Sequence, residues 1–167
     1  MMRHILAGLA AATMMSAAPL AANDGVPSVS AKDPEGMLSA LTNAGYSAEL
    51  GVDTVGDPQI TVSVSEYTVG ILFYGCDPES NDNCDSVQLL TGFDRAEPIP
   101  HEVALQISQT LRFAAVQIDD EGDPFIGWDI FMGNGIPLPV FLAGLRSYES
   151  TLDDASTIIF AEENEAE

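Results

Sequence analysis

The chain has 167 residues, of which 26 are acidic and only five are lysine or arginine, so its formal net charge is −21. This charge repels phosphate backbones and anionic lipid surfaces, which excludes nucleic acid as a partner and leaves cationic partners and divalent ions open. The length suits one domain with a hydrophobic core of its own.

The first 22 residues have the pattern of a cleavable signal peptide. A short basic start is followed by an apolar stretch over residues 5–15 and then by small residues. Pro19 interrupts an alanine-rich, weakly hydrophobic run, which favours a secretory signal over a membrane anchor. The cut is expected between Ala18 and Ala22. The mature chain then has no membrane span, and the protein is predicted to be periplasmic or secreted.

Residues 23–32 are predicted to form a flexible lead-in to a domain over residues 33–160. The first helix of that domain has a clear start, because Asp33 suits an N-cap and Pro34 suits the first helical position. An apolar stripe follows at helical spacing, and Gly45 is expected to end the helix in a left-handed conformation. The acidic residues 161–167 lack an apolar period and predict a disordered tail.

Between these ends the apolar pattern predicts helices and strands in a definite order. After the first helix the strands are expected near residues 48–52, 60–64, 69–74 and 87–93, followed by a helix up to Phe113, strands over 114–119 and 125–132, and a last helix after Pro137. Because the strands are grouped rather than alternating with helices, the order α-β-β-β-β-α-β-β-α predicts an α+β fold in which an antiparallel sheet packs against helices.

The chain also repeats itself at a shift of 66 residues, which aligns residues 48–64 with residues 114–130. Both copies contain an Asp-x-x-Gly-Asp-Pro turn, whose last three residues are Gly56, Asp57 and Pro58 in the first copy and Gly122, Asp123 and Pro124 in the second. Each copy is predicted to be a hairpin, with the glycine at positive φ. A calcium site in the acidic second turn is an alternative. It lacks the EF-hand spacing, because Trp128 stands where the bidentate acid would be.

Cys76 and Cys84 flank a polar loop between two predicted strands. In an oxidising compartment such a pair is expected to form a structural disulfide. A metal site would need further ligands, and His101 is the one histidine of the mature chain. A redox-active pair would have the Cys-x-x-Cys spacing. We therefore expect neither a metal nor a cofactor.

The sequence contains no nucleophile elbow, phosphate loop or dinucleotide-binding glycine pattern, so no catalytic or cofactor-binding residue is predicted. His101 follows Pro100 at a helix start, where a capping or solvent-facing role is expected. Phe125, Trp128 and Phe131 lie on one predicted strand and are expected to pack in the core or between elements.

Several of these segments together resemble YbjN-domain proteins, over residues 33–160. The resemblance is carried by Tyr46-x-Ala48-x-Leu50, Gly56-Asp57-Pro58-x-Ile60, Phe73-Tyr74-Gly75-Cys76, Cys84-x-Ser86-Val87-Gln88, Gly92-Phe93, Arg112-Phe113-Ala114, Asp119-x-x-Gly122-Asp123-Pro124 and the closing helix around Phe141. It implies a fold like that of type III secretion chaperones, a role as a sensory transduction regulator and no catalytic residues. The chain departs from the family where relatives tend to carry an Asn-Trp-Asn-like segment, since residues 103–107 here read Val-Ala-Leu-Gln-Ile.

The resulting hypothesis is a non-enzymatic periplasmic module that binds a protein partner in a chaperone-like or regulatory role, with a homodimer as an open possibility by analogy with that fold. Leu105 is a candidate anchor, because it lies off the helical stripe of Val103, Ile107 and Leu111. The alternatives are a calcium-binding module and a carboxylate-dependent enzyme.

The signal-peptide pattern makes a direct prediction about the mature protein. Material purified from the cell envelope should begin between Pro19 and Asn23, because the small residues that signal peptidase requires end there. Intact-mass measurement locates the N-terminus. Envelope material that retains residues 1–18 would contradict the prediction of an exported protein without a membrane anchor.

Overall fold

The structure is a computed structural model that describes residues 25–162. The predicted signal peptide, its cleavage site and the tail residues 163–167 lie outside the described residues. Within residues 25–162, no helix has the length and apolar character needed to cross a membrane.

The predicted α+β architecture is confirmed, and the structure adds two short strands to it. The elements in chain order are β1 (Ser28–Val29), α1 (Pro34–Asn43), β2 (Ser47–Val52), β3 (Pro58–Val64), β4 (Tyr67–Tyr74), β5 (Ser86–Gly92), α2 (His101–Thr110), β6 (Ala115–Ile118), β7 (Pro124–Phe131), β8 (Ile136–Pro137) and α3 (Leu138–Ile159). Six strands form one antiparallel sheet in the order β2-β3-β4-β5-β7-β6, and β1 pairs with β8.

The sheet buries one face against the helices. Ile60, Ile71 and Leu89 lie opposite one another on β3, β4 and β5, and all three are fully buried. Helix α1 adds Met37 and Leu41 to this core, and α3 adds a buried row that includes Phe141, Leu145, Tyr148 and Leu152. The strands alternate as a one-sided sheet requires, since Thr61 and Ser63 on β3 are exposed on the opposite face.

Helix α1 begins and ends where local chemistry dictates. The Asp33 carboxylate accepts a hydrogen bond from the Gly36 backbone N–H at 2.9 Å. At the other end Gly45 has a φ of 95°, and the Tyr46 N–H donates to the Leu41 carbonyl at 3.1 Å. This glycine lets the chain leave the helix and enter β2 after one residue.

The repeat forms two hairpins, β2–β3 and β6–β7, at opposite edges of the sheet. Their turns have the same geometry, with φ of 99° at Gly56 and 90° at Gly122. In each turn the first aspartate caps the loop: the Asp53 carboxylate accepts from the Asp57 N–H at 2.9 Å, and the Asp119 carboxylate accepts from the Asp123 N–H at 2.9 Å. These carboxylates hold backbone donors that the tight turn would otherwise leave unpaired.

The end of the segment predicted to be a flexible lead-in makes contacts with the rest of the domain. Ser28 and Val29 form strand β1 on β8, and the Leu138 N–H donates to the Pro27 carbonyl at 2.7 Å. Val29 and Ala31 are buried in the core. They pack near strand β8, which is more than 100 residues away along the chain. The pattern of neighbouring residues in the sequence does not indicate such contacts.

The second helix ends earlier than the apolar stripe suggests. Leu111 is the C-cap and is already extended, with φ −98° and ψ 137°. The stripe therefore holds for Val103 and Ile107, while Leu111 packs against the core from outside the helix. Residues 112 and 113 form a turn instead of a last helical turn.

The turn geometry predicts a graded response to adding one methyl group. Gly122→Ala should lower the free energy of unfolding by more than about 1 kcal/mol, because the new β-carbon combines a positive φ with an overlap with Pro98. Gly56→Ala should cost about 1 kcal/mol or less, because its new neighbour is the amide end of the Asn81 side chain, which can move.

Gly51→Ala is the matched control, since Gly51 lies on β2 with only a carbonyl oxygen at 4.0 Å from the added carbon. Urea unfolding of the four proteins measures the series. Equal stability of the Gly122→Ala and Gly51→Ala proteins would show that the turn does not need its glycine.

Candidate functional site

An apolar groove of about 450 Å³ lies between α3 and the second half of β7. We call it the aromatic groove. Its lining is mostly apolar and consists of Phe113, Trp128, Asp129, Ile130, Phe131, Ile136, Val140, Phe141, Ala143, Gly144 and Ser147. Gly144 on α3 faces the indole, since a β-carbon there would lie in van der Waals contact with the Trp128 ring, at 3.5 Å.

The groove exists because β6 is shorter than its partner. Strand β7 pairs with β5 from Phe125, opposite Gly92, to Phe131, opposite Ser86. Strand β6 begins only at Ala115, which lies opposite Gly127. Residues 128–131 of β7 therefore have a neighbouring strand on one side only, and the groove runs along the other side.

The backbone at Phe113 determines where β6 begins. Phe113 has a φ of 61°, a left-handed conformation that is unfavourable for a bulky residue. This turn directs the chain away from the sheet, so the pairing with β7 stops at Gly127. In the first copy of the repeat, Ser47 pairs with Ser63 and Ala48 pairs with Val62. The equivalent pairs in the second copy, Phe113 with Asp129 and Ala114 with Trp128, are not formed.

Aromatic stacking stabilises this turn. The Phe113 and Trp128 rings are stacked, with centroids 4.4 Å apart and an interplanar angle of 24°. The Arg112 guanidinium lies 5.0 Å from the Phe113 ring centroid on a cation–π contact. The stack thus offsets the conformational cost of the positive φ and closes one end of the groove.

The base of the stack is fixed to the core through Tyr148. Its ring lies 6.5 Å from that of Trp128, and its hydroxyl donates a hydrogen bond to the Ile126 carbonyl. Burial raises the pKa of Tyr148, so this hydroxyl stays protonated and keeps its donor role. The indole, which β7 carries, is thus in contact with a buried side chain of α3.

Large apolar side chains at the rim of the groove face solvent. Phe131 is 81% exposed and Val140 is 58% exposed. The expectation that Phe131 packs in the core is wrong, because the strand's alternation places Trp128 and Ile130 toward α3 and Phe131 toward the open face. Phe125, at the other end of the strand, is half-buried over Gly92.

One carboxylate, that of Asp129, lines the groove. Asp129 is exposed, and its carboxylate accepts a hydrogen bond from the Gln88 side chain at 3.0 Å. Partial burial raises the pKa of Tyr74 above its ordinary value, and the charges of Asp129 and then Asp53 raise it further. An occupant of the groove therefore meets the Asp129 carboxylate on the open-face side.

The turn residues singled out from the sequence lie away from the groove. Gly56, Asp57 and Pro58 stand at the β2–β3 turn, beside Asn81. At the other edge, Gly122 packs against Pro98, the Asp123 carboxylate accepts from the Arg95 N–H at 3.0 Å, and Pro124 opens β7. Within residues 25–162 no three acidic, histidine or cysteine side chains converge as a metal site would require.

Cys76 and Cys84 form a disulfide across the loop between β4 and β5. Cys84 is fully buried, and the loop is tied internally by the Asp77 N–H, which donates to the Asp82 carbonyl at 2.7 Å. The bond links the ends of a long surface loop and takes both thiols out of nucleophilic chemistry.

The other side chains considered from the sequence are on helix α2. His101 is the first residue of that helix and is exposed. Leu105 is 57% exposed and does not line the groove. The groove itself was missed from the sequence, although one signal for it was present: the predicted strand 125–132 is longer than its hairpin partner 114–119.

Comparison with known proteins places the chain in one family. A family model described as "YbjN: Putative bacterial sensory transduction regulator" matches residues 33–159. No curated protein and no solved structure matches the chain. The match includes α1, the six-stranded sheet and α3 and therefore the whole groove.

Because of the positive φ at Phe113, glycine at this position should give a more stable protein than alanine, which is the reverse of the usual order. Phe113→Gly and Phe113→Ala both remove the stacked ring, but only alanine retains a β-carbon, which the positive φ penalises. The glycine variant should therefore be more stable than the alanine variant by about 1 kcal/mol, whereas at ordinary positions glycine is the less stable residue. Urea unfolding of both proteins decides it, and a more stable alanine variant would contradict the strain at Phe113.

Proposed function

The chain belongs to the YbjN family, and we propose that it is an exported, non-enzymatic module that binds a protein partner through the aromatic groove. The family's description supports a regulatory or binding role in general terms. The more specific role, a chaperone-like or regulatory contact in the periplasm, is our inference.

The observation that carries this proposal is the exposure of aromatic and aliphatic side chains around one groove. Soluble proteins rarely leave such groups together on the surface unless they contact another molecule. Binding energy at protein interfaces concentrates in tryptophan, tyrosine and arginine at a desolvated centre. Trp128 at the groove and Arg112 stacked at its end provide two of these residue types.

The composition of the groove favours binding over catalysis. An enzyme site combines an apolar pocket with several converging polar groups in defined roles. Here the polar side chains among the lining residues are Asp129 and Ser147. The calcium alternative gains no support from the acidic turn, because the Asp119 carboxylate already accepts hydrogen bonds from the Glu121 and Asp123 N–H groups.

Two further features support an exported location. The N-terminal residues have the pattern of a signal peptide. The disulfide between Cys76 and Cys84 is a bond that persists in oxidising compartments such as the periplasm and is rare in the cytosol.

The chain offers a matched pair of positions to test the binding surface. Val140 and Leu105 both lie on helices, with exposed fractions of 58% and 57%, but only Val140 lines the groove. A photo-crosslinking amino acid at position 140 should give a discrete protein adduct in the cell envelope, and one at position 105 should not. Phe131→Lys should remove the adduct at position 140, since it replaces an exposed aromatic side chain at the apolar rim with a positive charge.

Circular dichroism of each variant verifies that the domain still folds. A discrete adduct at position 105 but not at 140 would move the interface to α2 and reinstate Leu105 as the anchor. If instead the protein turns over a small substrate and loses that activity when a single Asp or Glu is replaced, the enzyme hypothesis is correct and the binding proposal is wrong.

A further inference from the structure

We propose that the partner is an extended, cationic segment that adds itself to the sheet as a strand along residues 128–131 of β7. The segment would continue the line of β6, antiparallel to β7. This inference rests on the proposed function of the aromatic groove and specifies the class of partner and its mode of binding.

The backbone N–H and C=O groups of β7 point alternately toward β5 and toward the side of β6. The Phe93 N–H donates to the Pro124 carbonyl at 3.0 Å, which directs the even-numbered residues of β7 toward β5. The Asp119 N–H donates to the Asp123 carbonyl at 3.1 Å, which directs the odd-numbered residues toward β6. The N–H and C=O groups of Asp129 and Phe131 therefore point to the side where β6 is missing.

These four backbone groups have no hydrogen-bond partner within the part of the chain that the structure describes. Unpaired strand edges are templates for an added strand, and proteins usually protect them with charges, bulges or a covering element. Here the turn at Phe113 leaves the edge open, and the groove beside it supplies a place for side chains. Free edge and groove together are the arrangement that β-augmentation uses.

The side chains of an added strand would have to fit different surroundings on the two faces of the sheet. Successive side chains of a strand point to opposite faces of the sheet. On one face they would enter the aromatic groove beside Trp128 and Ile130, which requires apolar residues. On the other face they would lie next to Asp129 and Phe131, about 5 Å away between opposed β-carbons.

Charge decides the residues on that second face. The chain has a net charge of −21, Asp129 is exposed, and the exposed Phe131 ring offers a cation–π surface. Lysine or arginine complements these groups, whereas a second copy of this chain would bring its own negative charge to the contact. The occupant is thus a segment in which apolar and cationic residues alternate.

The register also specifies which backbone N–H groups of the partner would bond β7. A residue opposite Asp129 would exchange hydrogen bonds with it and would have its side chain on the same face, so it is a cationic residue. The N–H groups that bond β7 therefore belong to the cationic residues of the partner, and those of its apolar residues point to solvent.

The test uses a synthetic segment, because Trp128 is the one tryptophan of the chain and reports on the groove. An acetylated Lys-Val-Lys-Val-Lys-Val amide should change the fluorescence of Trp128 at low salt. Methylation of the backbone nitrogens of its lysine residues should weaken binding about tenfold or more. Each methyl group removes a hydrogen bond to β7 and clashes with the β7 backbone. N-methylation of the valine amides should leave binding nearly unchanged, and replacement of lysine by glutamate should abolish it.

Asp129→Asn should weaken binding by about threefold to tenfold and reduce its dependence on salt. Equal binding of the two N-methylated peptides, or no binding of the unmodified one, would overturn strand addition. In either case the crosslink from position 140 can still form, so the groove proposal survives on its own evidence. A concentration-dependent dimer in size-exclusion chromatography whose formation blocks the peptide would also overturn the inference, in favour of a second copy as the occupant.

Discussion

The positive φ at Phe113 is the constraint from which the character of the groove follows. It turns the chain off the sheet one residue before the pairing with β7 would reach Trp128. The stack of Arg112, Phe113 and Trp128 stabilises this turn, so the exposed edge is part of a packed structure rather than a frayed end. Strain of this kind persists only where the surroundings over-determine it, and it clusters at functional sites.

The internal repeat shows what this turn changes. Both copies have a helix, a hairpin and the same capped turn, yet they differ at the junction between helix and first strand. In the first copy Gly45 has the positive φ just after the C-cap of the helix, and the pairing of β2 with β3 includes Ser47 and Ala48. In the second copy the positive φ falls two residues further along the repeat, at Phe113, and the two equivalent pairs are lost. A partner strand would supply the hydrogen bonds that the first copy makes within itself.

Much of this fold could be predicted from local patterns. The alternation along β3, the capping residues of α1 and the Asp-x-x-Gly-Asp-Pro turns all follow from chemistry within a few residues. The groove could not, because a phenylalanine gives no sign that its backbone is left-handed, and the reason lies in its stacking on Trp128. The same limit applies to Val29, whose partner strand β8 is distant in sequence, and to Phe131, whose exposure depends on which face the helices cover.

Amide hydrogen exchange along β7, followed by NMR, tests the account most directly. The N–H groups of Trp128 and Ile130 bond β5, whereas those of Asp129 and Phe131 face the open edge. The account predicts that Asp129 and Phe131 exchange fast in the protein alone, that Trp128 and Ile130 exchange slowly, and that the alternating Lys-Val peptide slows the first pair. Protection of Asp129 and Phe131 in the protein alone, or no change when the peptide binds, would contradict a free edge that accepts a partner strand.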